Sequence, residues 1–311
     1  MNLLIVGGSG HVSGALSRAA VAAGHSVWVV TRGKRPLPPG VTGLVADRQQ
    51  PGSLESAIAA VAAGRSWDMV ADCIAFDAPA LEQDLALFRN RAGHLVFIST
   101  DFVYDPLLRR FPQPEEPACY IESETGASPY GFKKRRAEKV LLESETGSLA
   151  WTVLRPCHIY GPTSELGCLP LHGRDKALIE KLRAGDALKL AGGGHFLQQP
   201  ILADDLALAT LSVFGNTKAR SRIFNAAGPD IVESRAYYRI IANVLGVELK
   251  VEELAVDGLL REHPDMAPFL CHRVYDRAAM REAGITLPST PLVDGLRLHV
   301  EGLLARRAKP E

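Results

Sequence analysis

The chain has no net charge to spend on a polyanion: its 311 residues hold 35 Lys+Arg against 35 Asp+Glu. The lack of a positive excess argues against a basic nucleic-acid footprint and against a polybasic membrane anchor. Long apolar runs are also missing, because charges, Gly or Pro break each one well short of the roughly 18 residues a membrane span needs. The N-terminus lacks a basic region and a small-residue cleavage site, so no signal peptide is expected. Cysteine is scarce: Cys73, Cys119, Cys157, Cys168 and Cys271 are odd in number, scattered and free of any Cys-x-x-Cys pair. That argues against a disulfide framework and a cysteine zinc site, and it fits a reducing cytoplasm. The nine histidines show no His-x-x-x-His spacing, so no metal is expected. There is no internal repeat and no low-complexity segment. What remains is 47% hydrophobic and 23% charged residues, ordinary for a packed globular protein. The length suggests two domains, or one large α/β unit with an appendage.

The order of elements is more informative. Residues 3–6 form a short apolar run, as in a strand buried on both faces. A glycine-rich stretch and a helix at 15–23 follow. Further strands are expected at 26–31, 43–47, 68–74, 94–100 and 151–156. Between them lie helices at 54–62 (with Ser53 as its cap), 79–90 and 130–143. Strand alternating with helix predicts parallel strands joined by right-handed crossovers, an α/β doubly wound sheet. Beyond about residue 157 the pattern changes. Residues 161–174 read as irregular, with Pro162 and Pro170. Helices are expected at 176–184, 204–214, 234–245, 276–282 and 292–306, and strands at 188–191, 222–225 and 249–253. The tail 306–311 is expected to fray.

Gly7-Gly8-Ser9-Gly10-His11-Val12-Ser13-Gly14 sits between the first strand and its helix. Gly7 permits a tight turn, Gly10 lets the backbone approach a pyrophosphate, and the helix N-terminus offers free N–H groups. Ser13 stands where a third glycine is usual, and it is small enough for close helix–strand packing. These features point to a dinucleotide. At the end of the second strand Thr31 replaces the acid that would bond a ribose 2′-hydroxyl, and Arg32, Lys34 and Arg35 follow. Cations without an acid favour a 2′-phosphate, so NADP is expected ahead of NAD; a merely solvated loop is the other reading. Asp47 and Arg48, after the third strand, are placed to reach the adenine.

Tyr130 and Lys134 stand at i and i+4, on one helix face. A phenol with a pKa of about 10 is a poor base near neutrality. A lysine ammonium one turn away stabilises the phenolate, so the tyrosine can exchange a proton as hydride leaves or arrives. Ser99 and Thr100, ending the fifth strand, can bond the same substrate oxygen. An amphipathic surface pair is the competing reading of Tyr130 and Lys134 taken alone.

With these residues the chain resembles the extended short-chain dehydrogenases/reductases of the NAD-dependent epimerase/dehydratase family. Gly7-x-x-Gly10 matches its nucleotide loop. Ile98-Ser99-Thr100-Asp101-Phe102-Val103-Tyr104 matches its fifth-strand segment, and Tyr130 with Lys134 its catalytic pair. Leu154-Arg155-Pro156 through Ile159-Tyr160-Gly161-Pro162 matches the segment that passes the nicotinamide. Ala203-Asp204-Asp205, Phe224-Asn225-Ala226-Ala227-Gly228 and Asp276-Arg277-Ala278 match C-terminal blocks.

The resemblance implies a Rossmann domain over 1–160 and a smaller substrate-binding lobe over 161–311, with about 200–230 returning to the first. It implies catalytic roles for Thr100, Tyr130 and Lys134. It implies cofactor contacts from Gly7, Ser9, Gly10, His11, Val12, Thr31, Arg32, Arg35, Asp47, Arg48, Ala75, Ser99, Tyr130, Lys134, Pro156, His158 and Ile159. Substrate contacts are expected from Phe76, Thr100, Asp101, His158 and Gln198. The implied substrate is a nucleotide sugar, oxidised or reduced at a carbinol or ketone carbon, and the implied assembly is a homodimer.

The departures narrow the reaction. The family's dehydratases are similar to Thr-Asp-Glu at strand five, where the acid pair removes water. Here Thr100-Asp101-Phe102 lacks the glutamate, and phenylalanine cannot move a proton. Epimerase and keto-reductase remain, with no residue deciding between them. A non-sugar substrate, or a non-catalytic NADP- or RNA-binding relative with a local basic face at 133–136, also stays open. Asp101 reads equally as a substrate contact or a turn cap. The Pro-rich interval 105–129 reads as a lid or a solvated loop. His172 and Arg174 open a helix where a substrate phosphate could dock.

Overall fold

The structure, a computed structural model, describes residues 1–61, 66–124 and 128–308. The chain runs β1 (Asn2–Val6), α1 (His11–Ala22), β2 (Ser26–Thr31), β3 (Val41–Val45), α2 (Ser53–Ala59), β4 (Met69–Asp72), α3 (Ala78–Phe88), β5 (His94–Ile98), α4 (Pro129–Glu143) and β6 (Ala150–Pro156). It continues through β7 (Ile159–Tyr160), α5 (Leu178–Ala184), β8 (Leu188–Ala191), β9 (Leu197–Gln198), β10 (Ile201–Leu202), α6 (Ala203–Leu211) and β11 (Arg222–Ala226). Last come β12 (Val232–Glu233), α7 (Ser234–Leu245), β13 (Val251–Leu254), α8 (Val256–Glu262), α9 (Ala278–Ala283) and α10 (Leu292–Arg307).

Seven parallel strands form one sheet in the order β3-β2-β1-β4-β5-β6-β11. The order reverses beside β1, where doubly wound sheets bind ligands at their carboxyl ends. Strand alternation divides two cores. Leu3, Ile5, Val27, Val29, Met69 and Ala71 face α1 and α6 through Leu16, Ala20 and Leu206. Leu4, Val6, Val30, Val70, Leu95 and Phe97 face the other side, against Leu54, Ile58, Leu81, Phe88 and Leu141. Each such side chain, fully buried, contributes about 1.5–3 kcal/mol. Covering both faces requires the unbroken apolar runs seen in the sequence. A third cluster joins Tyr160, Leu178, Leu182 and Leu190 to Tyr237, Tyr238, Leu296 and Val300. It lies outside the sheet and organises the C-terminal half, while β11 pairs with β6.

Several local expectations are corrected. β3 begins two residues before the expected 43–47. Ser53 is the first residue of α2 rather than its cap, and its Oγ accepts the Asp47 N–H at 3.1 Å. The expected helix end at Ala62 lies outside the described residues. α5 starts at Leu178, since Asp175 accepts the Ala177 N–H and holds a turn there. α8 carries no periodic apolar signal, because none of its residues is buried. Arg306 and Arg307 do not fray: Arg306 donates to the Ser164 carbonyl, and Arg307 to Glu165 and Glu180. The rest of the tail, from Lys309 on, is outside the described residues.

Candidate active site

Two cavities lie along the carboxyl ends of the strands. The first, about 460 Å³, is lined by Gly7, Ser9, Gly10, Ser13, Thr31, Arg32, Lys34, Arg35, Asp47, Arg48 and Phe76 among others. Gly7 has φ +127°, a conformation L side chains rarely adopt. Buried Ser13 accepts the Gly10 N–H at 3.0 Å and thereby fixes the loop. No side chain caps the first turn of α1, so its N–H groups and positive dipole end stay available to an anion. A glycine turn, an uncapped helix and three adjacent cations fit a dinucleotide. His11 and Val12 form that first turn but do not line the cavity. His11 Nδ1 lies 2.7 Å from Thr163 Oγ1.

Arg48, expected near the adenine, lines this cavity but also has buried partners. The Arg48 guanidinium turns inward to Asp72 (2.6 Å), Asp84 (2.9 Å) and the Ala80 carbonyl. Burial and the Asp72 charge hold the Asp84 carboxyl well above the usual range. Asp72 also accepts the N–H groups of Ile74 and Ala75, which ties down the loop after β4. Ala75, expected at the cofactor, is fully buried and lines neither cavity. Phe76, expected at the substrate, instead lines the cofactor cavity; its ring stands 5.2 Å from the Lys134 ammonium and 6.4 Å from the Tyr130 ring.

The second cavity, about 320 Å³, brings together Ser99, Thr100, Asp101, Phe102, Tyr130, Pro156, Cys157, His158, Ile159, Arg174 and Arg273. α4 approaches the Asp101–Val103 turn very closely: a Cβ on Gly131 would stand 2.1 Å from the Phe102 carbonyl oxygen. Glycine here lets α4 lie against this turn, so that Tyr130 and Thr100 line the same cavity. Ser128 caps the helix by accepting the Gly131 N–H. Tyr130 as a whole is 42% exposed, but desolvation around its hydroxyl, with the Asp101 charge second, pushes the phenol up to about 12, while Thr100 and Arg174 oppose this. The phenol is therefore protonated near neutrality.

Lys134 is fully buried, lines neither cavity and donates to the Ile98 carbonyl at 2.7 Å. Burial lowers its ammonium to about 8, with Asp72, Cys73 and Glu138 partly offsetting the shift. Ser99, expected to touch the cofactor, donates instead to Glu138 at 2.6 Å. Glu138 is clasped by Arg155 through two bonds of 2.9 and 2.7 Å, all of it buried. That network braces the end of β5 beneath Thr100.

Asp101 is neither a free substrate contact nor a cap. Its carboxylate receives hydrogen bonds from Arg273 and Tyr275, and Arg109 stands 3.9 Å away, all four side chains buried. Nothing in the sequence points to Arg273 and Tyr275, because they lie 172 and 174 positions from Asp101. Arg109 anchors the interval after strand five. Buried Gln113 accepts from Asn225 and its N–H meets the Val274 carbonyl, while Asn225 N–H donates to Glu115. The interval is thus fastened to the core at Arg109, Gln113 and 119–121, with exposed stretches between these points; residues 125–127 lie outside the described ones.

Gln198, expected at the substrate, is fully buried in β9 and lines neither cavity; neither atom of its amide finds a partner among the described residues. His158 does line the second cavity, and burial first and Arg174 second lower it to about 3, so it is neutral. His172 does not: it meets Asp175 and the Lys189 carbonyl. The basic run 133–136 is no basic face, because Lys134 and Arg135 are buried.

A family model described as "NAD dependent epimerase/dehydratase family" matches residues 3–227. The chain belongs to this family. Over 253 residues it is 28% identical to the chloroplast stem-loop binding protein of 41 kDa b from Arabidopsis thaliana, covering 74% of this chain and 59% of that protein. Over 257 residues it is 26% identical to 2′-dehydrokanamycin reductase from Streptomyces kanamyceticus, covering 79% of this chain and 67% of that one. The chain thus spans little more than half to two thirds of these relatives' length. UDP-glucose 4-epimerase from Thermus thermophilus, solved with NAD, superposes with a TM-score of 0.76 at 18% identity, covering 99% of this chain and 100% of that one. This family fold is the extended short-chain dehydrogenase/reductase Rossmann fold. Among the described residues, no helix is long and apolar enough to cross a membrane.

Proposed function

We propose that the protein is an NADP(H)-dependent keto-reductase acting on a ketone of a sugar, carried as a nucleotide sugar. The observation that carries this is that Thr100 and Tyr130 line the second cavity together, beside an Asp101 already bonded to Arg273. A phenol, protonated near neutrality, has a proton to give to a ketone oxygen. When bound, the dihydronicotinamide supplies the hydride. Tyr130 donates its proton to the ketone oxygen, Thr100 hydrogen-bonds the same oxygen, and buried Lys134 supplies positive charge behind them. Asp101 is committed to Arg273 and Tyr275, and Phe102 has no proton to move. Dehydration therefore lacks both of its groups, which favours simple reduction, as does likeness to a reductase.

Gly7, Ser9, Gly10 and the first turn of α1 would hold the pyrophosphate. Arg32, Lys34 and Arg35 would hold the 2′-phosphate, with Thr31 offering no repulsion. We take residues 1–160 as the cofactor domain and 161–311 as the substrate lobe, working in a reducing cytoplasm. A homodimer would meet along α3 and α4, where Leu85, Ala86 and Val140 line a groove. RNA binding is disfavoured by zero net charge and by the inward turn of Lys134 and Arg135.

The test is NADPH oxidation with a panel of UDP- and dTDP-4-keto sugars, and tritium exchange with their 4-hydroxyl forms. Turnover of a keto sugar with release of oxidised cofactor is expected. Interconversion of two hydroxyl epimers without net cofactor oxidation would overturn the reductase assignment in favour of epimerisation.

A further inference from the structure

The second cavity holds a cation without a counter-ion. Of the charged side chains that line it, Asp101 is bonded to Arg273, which leaves Arg174. Arg174 is exposed, and no carboxylate among the described residues pairs with it. Its neighbours differ: His172 and Lys181 both meet Asp175, at 3.2 and 2.8 Å. Behind the cavity wall, Arg109 adds a second positive group near the Asp101 carboxylate. The pocket is therefore net positive inside a chain whose total charge is zero.

The backbone at Arg174 is unusual as well. Its φ is +61°, a left-handed conformation that a bulky L residue adopts only under constraint. Such outliers gather at ligand clamps. The next residue is tied down, since the Asp175 N–H donates to the Leu166 carbonyl at 2.8 Å. The positive field of the guanidinium reaches Tyr130, His158 and His11, disfavouring protonation of each. Burial keeps both histidines neutral, at about 3 and about 4. Nothing facing Arg174 across the cavity neutralises it, among the described residues.

The geometry points to Arg174 as an anchor for an anionic oxygen group, a carboxylate or phosphate, borne by the same small moiety that carries the reacting carbon. This rests on Thr100 and Tyr130 marking the place of reaction. A cavity of about 320 Å³ seats one sugar-sized ring. The acid would then sit on the same ring that presents its reacting oxygen to Thr100 and Tyr130, since all three residues line this one cavity. A guanidinium suits either acid, because its fork matches the two oxygens of both. The pocket would select acidic keto sugars over neutral ones.

The experiment uses the full chain loaded with NADP⁺, followed by thermal unfolding at constant ionic strength. Probes are glucuronate (a carboxylate on the ring), glucose 6-phosphate (a phosphate at the same end) and glucose (neutral). One or both acids at saturation should raise the midpoint by about 2 °C or more, glucose by none. Which acid acts identifies the carboxylate or the phosphate as the natural group. In Arg174→Gly the shift should vanish, with the ligand-free midpoint equal to or above the parent's, since glycine accepts the left-handed backbone. Arg174→Lys should keep part of the shift. Equal shifts with glucose and the acids, or an acid shift that survives in Arg174→Gly, overturns the assignment. A UDP-glucose shift with no response to either small acid overturns it too, while leaving the nucleotide-sugar reading intact. A response to the small acids with none to any UDP-sugar does the reverse.

Discussion

The two cavities hold their cations in opposite ways. In the cofactor cavity Arg32, Lys34 and Arg35 come from one exposed stretch and are free for a ligand. In the reaction cavity Arg273 and the nearby Arg109 converge from distant parts of the chain on one buried carboxylate, and Arg174 alone is left over. The first arrangement binds by exposed charge, at modest cost if one member is lost. The second is a buried cluster, where losing the central anion strands two guanidiniums. Cations that look alike in a sequence thus differ in function according to whether an acid has been folded against them.

The sharpest break in this comparison is at the proton donor. Tyr130→Phe should cut turnover by roughly 10²–10⁴ while leaving the NADPH dissociation constant within severalfold, by stopped-flow and fluorescence titration. Unchanged turnover would sink the assignment of Tyr130. Next comes the buried cluster. Asp101→Ala should lower unfolding stability by about 3–5 kcal/mol in urea, because Arg109 and Arg273 lose their shared counter-charge. A loss under about 1 kcal/mol would mean the cluster is solvated, like the exposed ion pairs. At the cofactor cavity the effect should be smaller. The double variant Arg32→Gln/Arg35→Gln should weaken NADPH about tenfold, with NADH unchanged and stability intact. A matching loss for NADH would remove the 2′-phosphate role.

The smallest effect expected is in the pH profile. Lys134 carries its charge below about pH 8 and loses it above, because burial has lowered it from the usual lysine range. Tyr130 and neutral His158 do not titrate in between, at about 12 and about 3. The kcat/KM for reduction should therefore be level from about pH 6 to 7.5 and fall severalfold near pH 8, with the limb absent in Lys134→Met. A profile level to about pH 10 would show that the ammonium is not lowered in the working enzyme, and an unchanged profile and rate in Lys134→Met that it does not serve the reaction.

Legibility from the sequence follows contiguity. The glycine loop, Thr31 to Arg35 and the Tyr130–Lys134 pair are readable because each depends on a single strand–helix turn or one helical period. Thr100 is readable from its place at the end of a strand. Gln198 reads wrongly because the register of a two-residue strand, which is not written in its sequence, decides that it is buried. Arg48 and Ser99 line the cavities, but the sequence does not show that Asp84 and Glu138, on neighbouring helices, also take their side chains. Arg174 reads as a cation before a helix, yet the helix begins four residues later and the relevant fact is the cavity beside it.

The sequence by itself therefore determined the parallel sheet, the nucleotide turn and the catalytic helix, because periodicity and local turn chemistry act over short stretches of chain. Only the tertiary structure decided that Asp101 belongs to Arg273 and Tyr275, that Phe76 lines the first cavity, and that Arg174 is left without a counter-ion among the described residues. Those outcomes depend on which charges and rings meet after segments far apart in the chain have packed. Burial then makes each pairing, or its absence, count far more than it would in water.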